Sequence, residues 1–300
     1  MGLNIKNETG SLVSVVLGIA EEMGDNPSVD DCIDPKTKEN ILNNTYPKEA
    51  DCINEIENFN KILLKNGVEV LRPNSIRNLN QIFTRDIAFV VENKLFIPDI
   101  ISERNMEKDG IKYLIDNLDS EEKIIIPKNL SIEGGDIIIH NDYIFIGYSS
   151  NNNLKVSRTS YETIQFIHKH FPEKKVLGFD LLKDDNDPYN NVLHLDCAMQ
   201  PIGKNNIILY EDGFKKKKEL QELIQIFGEE NIIKISREEQ YNGCSNLFSI
   251  NEETVVSDST FVRLNNILSS KGIKVEKVYY REISKYGGLF RCSTLPINRI

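Results

Sequence analysis

The sequence predicts an α/β protein built from repeated strand-strand-helix-strand units, and three observations carry that prediction. The same order of patterns recurs four times between residues 87 and 279. A polar feature heads each recurrence, at Asp86, Glu133, His194 and Ser245-Asn246, with Cys292 continuing the series, at intervals of 47, 61, 51 and 47 residues. The leading and trailing segments supply the parts of a fifth unit. Regular recurrence at this scale marks a repeat architecture in which each unit buries its apolar face against its neighbours. No linker interrupts the pattern, so residues 1–300 read as a single domain.

Taken in order, Leu12 to Leu17 alternates like a strand, and the polar, turn-rich stretch from Glu21 to Thr45 reads as a long loop. Ile53, Ile56, Phe59, Ile62 and Leu63 then fall on one helical face that Asn66-Gly67 closes, and Val68 to Leu71 is a strand ended by Pro73. The first full unit has strands at 87–91 and 95–97, a helix over 103–118 and a strand at 123–126. The second has strands at 137–139 and 143–146 across Asn141-Asp142, a helix over 161–170 and a strand at 176–179. The third runs from His194 to Pro201, then 207–210, a helix ending at Phe227 and a strand at 232–235. The fourth has strands at 247–250 and 254–257, a helix over 261–270 and a strand at 274–279.

A formal charge of −10 over 300 residues argues against nucleic acid or an anionic membrane as partner, since both demand basic surface. The run Lys215 to Lys218 opens a helical pattern and reads as a solvated face. No stretch has the length and apolarity of a membrane span, no basic region precedes an apolar core at the start, and a cytoplasmic location is expected. Five cysteines form no Cys-x-x-Cys pair and leave one over in any disulfide scheme, which predicts reduced thiols and no zinc site.

Chemistry is concentrated in the heads of the units. Cys292 follows Gly287-Gly288 and precedes Ser293-Thr294, where the backbone can turn sharply and present a thiol to a cavity. A nucleophilic cysteine needs a base, and among the four histidines only His194 lies in the series. His168 and His170 belong to a helix end and read as exposed, and His140 sits in a turn with no carboxylate motif around it. Cys197, by strand alternation, should point away from His194 and Asp196. If the repeats surround an axis, one cysteine, one histidine and the carboxylates of Asp86, Glu133 and Asp196 meet in one pocket.

Four motifs in this order, Asn80-Gln-Ile-Phe-Thr-Arg-Asp86, Glu133-Gly-Gly-Asp136, His194-Leu-Asp196 and Gly287-Gly-Leu-Phe-Arg-Cys292-Ser-Thr-Leu-Pro, resemble the guanidino-group-modifying superfamily, the penteins, which includes arginine deiminase, dimethylargininase and arginine:glycine amidinotransferase. The resemblance implies a five-bladed α/β propeller of pseudo-fivefold symmetry. It assigns Cys292 as nucleophile, His194 as general acid and base, Glu133 as the partner orienting His194, and Asp86 and Asp196 as the carboxylates that clamp a substrate guanidinium. It implies no metal and no cofactor, a small guanidino molecule as partner, and room for a homo-oligomer.

Within the superfamily, Phe83-Thr-Arg-Asp86, Glu133-Gly-Gly-Asp136 and Gly243-Cys-Ser-Asn-Leu-Phe248 look most like arginine deiminase, although the extra helical insertion of those enzymes has no room here. Arg158 in Ser157-Arg158-Thr159, and Arg104, match positions where arginine deiminases hold the substrate α-carboxylate, and Asn80, which opens the first motif, is expected to bind substrate as well. Tyr46-Pro-Lys-Glu49, Gly67 to Pro73 and Phe290 to Thr294 look like the amidinotransferases, but Asp212-Gly213-Phe214 stands where those carry an arginine for the acceptor carboxylate. The resulting expectation is hydrolysis of arginine to citrulline and ammonia through a covalent thiouronium. Amidino transfer is the alternative, followed by a dimethylargininase-like reaction or a guanidino-binding protein without catalysis.

Overall fold

Apolar stretches of strand length become strands, and the strands gather in threes. The computed structural model describes residues 2–300. The chain begins with strand β1 (Leu12–Leu17), helices α1 (Pro35–Leu42) and α2 (Glu49–Lys65) and strand β2 (Glu69–Leu71). Next come the short helix α3 (Thr84–Ile87), strands β3 (Phe89–Val91) and β4 (Lys94–Ile97), helix α4 (Lys112–Asp116) and β5 (Lys123–Ile125). Strands β6 (Ile137–His140) and β7 (Tyr143–Tyr148), helix α5 (Glu162–His170) and β8 (Lys175–Asp180) follow, then β9 (Met199–Ile202), β10 (Asn206–Leu209), α6 (Lys217–Phe227) and β11 (Ile232–Lys234). Helix α7 (Arg237–Tyr241), β12 (Phe248–Asn251), β13 (Thr254–Asp258), α8 (Val262–Ser270), β14 (Lys274–Val278) and β15 (Thr294–Arg299) complete the order.

These strands form five sheets of three strands each, and all five share one topology. The middle strand of each sheet, β1, β4, β7, β10 or β13, is antiparallel to one neighbour and parallel to the other. A parallel partner requires a crossover connection, which is why a helical segment precedes the third strand of every unit. The fifth sheet joins sequence-distant parts: β15 lies antiparallel to β1, with Val15 opposite Pro296 and Leu17 opposite Thr294, while β2 is the parallel partner.

Helix α2 illustrates how the sequence fixes packing. Cys52, Ile56, Phe59 and Leu63 recur on one face and are buried, and Gly67, at φ +77°, ends the helix in a conformation that favours glycine. Phe59 meets Phe248, Tyr280 and Phe290 edge-on at 6.0, 6.0 and 5.1 Å, tying the helix to the fourth and fifth sheets. Among the described residues no helix is long and apolar enough to cross a membrane. All five cysteines are free and buried.

Four local expectations fail, each for a physical reason. The polar stretch 21–45 contains α1, whose cap is Asp34, with its carboxylate accepting from Lys36 N and Thr37 N, a signal outweighed in sequence by the absence of an apolar stripe. The helix expected over 103–118 is mostly 3₁₀, from Ser102 to Ile111, because Asn105, Asp109 and Gly110 are poor α-helix formers. Asp86 heads its unit from helix α3, not from a strand. His194 likewise precedes a 3₁₀ turn, Leu195–Cys197, with the strand beginning only at Met199. Strand alternation therefore does not apply to Cys197, and its thiol donates to Asp196 Oδ1 at 3.5 Å instead of pointing away.

Candidate active site

The heads of the units converge because short backbone-side-chain bonds stitch them together. Thr84 Oγ1 donates to the carbonyls of Val16 and Ser293, each at 3.1 Å, and Arg85 N donates to Cys292 O at 3.1 Å. Helix α3 is thereby locked against the cysteine segment, and Asp86 is held in place. Its Oδ1 accepts from Gly135 N at 3.2 Å, and its Oδ2 accepts from Arg104 Nη1 at 2.8 Å.

Glu133-Gly134-Gly135 is a close approach of backbone to two neighbours. A Cβ on Gly134 would lie 2.1 Å from Arg85 O, and one on Gly135 would lie 2.6 Å from His194 Nδ1, so glycine is required at both. Removing those side chains lets His194 reach Glu133, whose Oε2 is 2.8 Å from Nε2. The other ring nitrogen, Nδ1, faces Asp86 Oδ1 at 3.7 Å. Asp136 Oδ1 accepts from Leu195 N at 2.9 Å and fixes the turn that carries His194 and Asp196.

Glu133 also takes Arg158 Nη1, at 3.2 Å to each oxygen. Burial alone would favour its neutral form, but Arg158, the bond from His194 and Arg104 outweigh burial and hold its pKa well below the ordinary carboxylate range. In His194 burial opposes the charge, whereas Asp86, Glu133 and Asp136 favour it, and its pKa rises to about 9. The site at neutral pH thus presents a carboxylate bonded to an imidazolium.

Cys292 and Asp196 form the opposite side. Asn246 Nδ2 donates to Cys292 Sγ at 3.1 Å, and Asp196 Oδ2 lies 3.7 Å from the sulfur. Arg291 Nη1 donates to the same Asp196 oxygen at 2.9 Å and its Nη2 to Glu8 Oε1 at 2.9 Å, a fully buried ionic chain. Burial first, then Asp196, Cys197 and Asp86, pushes the Cys292 thiol well above its ordinary value, with the Asn246 bond acting the other way. The free site therefore holds a neutral thiol. Gly288 is needed here too, since a Cβ would lie 2.8 Å from the Phe83 ring and 2.9 Å from Cys292 Cβ.

A cavity of about 280 Å³ opens onto these groups, with Asp86, His194, Cys292, Asn80, Arg104 and Arg158 in its wall. Glu133 and Asp196 lie behind that wall, each bonded to a group in it or to its support. A wider groove of about 1290 Å³ between α5, β8 and α6 holds none of the candidate groups, so the candidate site is the smaller cavity. The ligating atoms of Asp86, Glu133 and His194 lie within 4.8 Å of one another, a spacing a cation would accept. Arg104 and Arg158 already supply positive charge to those carboxylates.

Sequence reasoning placed eight residues in this region, and six of them line the cavity. Arg158 is buried, not a surface residue, and its donors go to Glu133, Ile33 O at 2.9 Å and Lys155 O at 3.1 Å. Arg104 is similarly engaged, bridging Asp86 and Glu107, the latter through Nε and Nη2 at 2.8 Å each. Asn80 uses its Oδ1 to accept from Ile82 N at 3.0 Å. Arg291, Glu8, Asp136 and Asn246 were given no role from sequence. Asn246 stands in the periodic series itself, and that signal was sufficient to find it.

The model of the family described as N,N dimethylarginine dimethylhydrolase, eukaryotic, matches residues 22–299. YkgA of Bacillus subtilis, an uncharacterized protein, is 27% identical over 297 residues, spanning 98% of this chain and 94% of its own. The arginine deiminase of Bacillus cereus is 29% identical over 293 residues, 82% of this chain and 68% of that enzyme. The N(G),N(G)-dimethylarginine dimethylaminohydrolase of Pseudomonas aeruginosa is 27% identical over 165 residues, 55% of this chain and 56% of that enzyme. Among solved structures, the product-bound N-terminal domain of ArgZ, a cyanobacterial arginine dihydrolase, superposes with a TM-score of 0.80 at 18% identity, covering 96% of this chain and 98% of that domain. SxtG, an amidinotransferase from Microseira wollei, gives 0.76 at 18% identity, covering 99% and 97%. At such identity the two structures speak for the fold.

Proposed function

The chain belongs to the N,N dimethylarginine dimethylhydrolase family, within the guanidino-modifying pentein superfamily, and from that premise we propose that it hydrolyses a guanidino substrate, converting L-arginine to citrulline and ammonia through a thiouronium on Cys292. The observation that carries this reading is the cavity that Cys292, His194 and Asp86 line together, with Glu133 bonded to His194 from behind the wall and Asp196 3.7 Å from the sulfur. Five sheets of one topology support a five-bladed α/β propeller of pseudo-fivefold symmetry, with 1–300 as one catalytic unit.

A guanidinium is planar and cationic, and carboxylates on its N–H groups both place its central carbon and keep it charged. Burial first, then Asp196 and Asp86, keeps the free thiol protonated; the substrate cation offsets the two carboxylates, so its binding drives the Cys292 proton to solvent and leaves a thiolate. The sulfur attacks the guanidinium carbon, and His194, already protonated, gives a proton to the departing nitrogen as the C–N bond breaks and ammonia leaves. Neutral His194 then takes a proton from water as its oxygen adds to the thiouronium carbon. Collapse breaks the C–S bond, releases the ureido product and regenerates the thiol. Ammonia takes up the proton released on binding.

Asn80, Arg104 and Arg158 are assigned to the far end of the substrate. The α-carboxylate competes with Glu133 and Glu107 for these arginines, so Arg158→Ala raises KM for arginine more than for agmatine, which lacks that carboxylate. Hydrolysis of N-methylated arginine is the second reading, favoured by the family match over 22–299. Incubation with arginine, and separately with dimethylarginine, tests both: citrulline with ammonia supports the first, citrulline with dimethylamine the second. Ornithine with guanidinoacetate on adding glycine would overturn both in favour of amidino transfer.

A further inference from the structure

Asn246 is buried, 1% exposed, and its side chain makes three bonds, all to the segment that carries Cys292. Its Oδ1 accepts from the backbone N–H groups of Leu289 and Cys292, each at 3.1 Å. Those two donors fix the orientation of the amide, because a flipped side chain would set its NH₂ against two N–H groups. The NH₂ end must then face Cys292 Sγ, its hydrogen-bond acceptor among the described residues, at 3.1 Å. A neutral thiol is a weak acceptor, and a buried amide N–H facing it is poorly satisfied. A thiolate is a strong acceptor in the same place.

We infer that Asn246 is a positioning residue that donates to the Cys292 thiolate, stabilising the charged sulfur while its carbonyl end holds the turn that presents it. Its neighbour works in parallel, since Ser245 Oγ donates to Asp196 O at 2.9 Å, so one dipeptide braces both the sulfur and the carboxylate beside it. The surroundings require such a donor: Asp196 and Asp86 oppose a thiolate, and the amide is the group bonded to the sulfur that favours it. The inference rests on the reading of Cys292 as nucleophile.

The test is Asn246→Asp, which keeps the oxygen that accepts from Leu289 and Cys292 and replaces the donor by a lone pair. Iodoacetamide alkylation of Cys292, followed residue by residue by mass spectrometry across pH, reads the thiolate without any guanidino substrate. The expected result is a midpoint raised by about one unit or more and alkylation at least about tenfold slower at neutral pH, with kcat lowered and KM little changed. An unmoved midpoint would overturn the inference even if turnover fell. Should the variant not fold, selective ¹⁵N-asparagine labelling of the native protein serves: the Asn246 amide signals are expected to titrate with the Cys292 midpoint, and signals flat across it would overturn the inference. A native protein that turns over no guanidino compound, together with a shifted midpoint in the variant, would sink the proposed reaction and leave this assignment standing.

Discussion

Replacing Glu133 by glutamine changes no shape and removes one buried charge, and the structure states what that charge holds. Glu133 receives His194 Nε2 at 2.8 Å and Arg158 Nη1 at 3.2 Å, with Arg104 Nη1 at 3.6 Å. Without it, burial acts on His194 against Asp86 and Asp136 alone, and the pKa of about 9 should fall toward the ordinary 6.5 or below. A drop of two to three units corresponds to about 3–4 kcal/mol of differential interaction. If His194 must be protonated to expel ammonia, the alkaline limb of kcat shifts down by the same two units or so, and at about pH 8 turnover falls about thirtyfold from this cause alone. Stability changes with matching sign. The raised His194 pKa contributes stability that is full below 6.5 and lost as pH rises through about 9. The lowered Glu133 pKa contributes stability present above 4.5 and lost in acid. The variant leaves Arg158 short of its partner, so a loss of about 3–5 kcal/mol is expected near neutral pH. Citrulline formation across pH, beside thermal unfolding in the same buffers, provides the assay. A folded variant whose alkaline limb coincides with that of the native protein would refute the claim that Glu133 keeps His194 charged.

Four further outcomes are expected. Cys292→Ser should abolish turnover, and mass spectrometry should find inactivation by thiol reagents tracking Cys292 and none of the other four cysteines. Asp86→Asn should lower kcat/KM by roughly 1.5–3 kcal/mol, the worth of a charged hydrogen bond, whereas Asp196→Asn should slow turnover yet speed alkylation of Cys292, because it removes a charge that opposes the thiolate; alkylation unchanged from native would contradict the placement of Asp196. Gly135→Ala sets a methyl 2.6 Å from His194 Nδ1, and overpacking of this kind costs about 1–3 kcal/mol of stability by thermal unfolding together with most of the activity; a fully active variant would show that the imidazole is free to move aside.

The strands were legible because period-two and continuous apolar runs report burial directly, as in Ile137 to Ile139 and Val255-Val256. Sheet count was legible for the same reason, the repeat being written in those runs. The meeting of Cys292 and His194 at one cavity was legible through residue type and interval. What escaped was whatever depends on contacts far apart in sequence: Arg291 meets Glu8 across 283 residues, and no local pattern announces that pair. Asn246 escaped differently. It occupied the interval but carried no familiar reactive group, and its meaning lies in the sulfur it touches. Cys197 was misread because alternation was applied across a 3₁₀ turn, where successive side chains do not point to opposite faces.

The fifth sheet sets the order of events during synthesis. β1 leaves the ribosome before the strands of the other four sheets and its antiparallel partner β15 leaves after them, so those four sheets can form while β1 waits at an unfilled edge. Pairing across so long a span is slow to nucleate. Cys292 lies just before β15, and its carbonyl is what Arg85 N binds, so Cys292, the wall of its cavity and the ion pair from Arg291 to Glu8 all assemble when β15 pairs. Recovery of citrulline formation after dilution from denaturant is therefore expected to lag the recovery of helical signal, by the time that pairing of β15 with β1 takes.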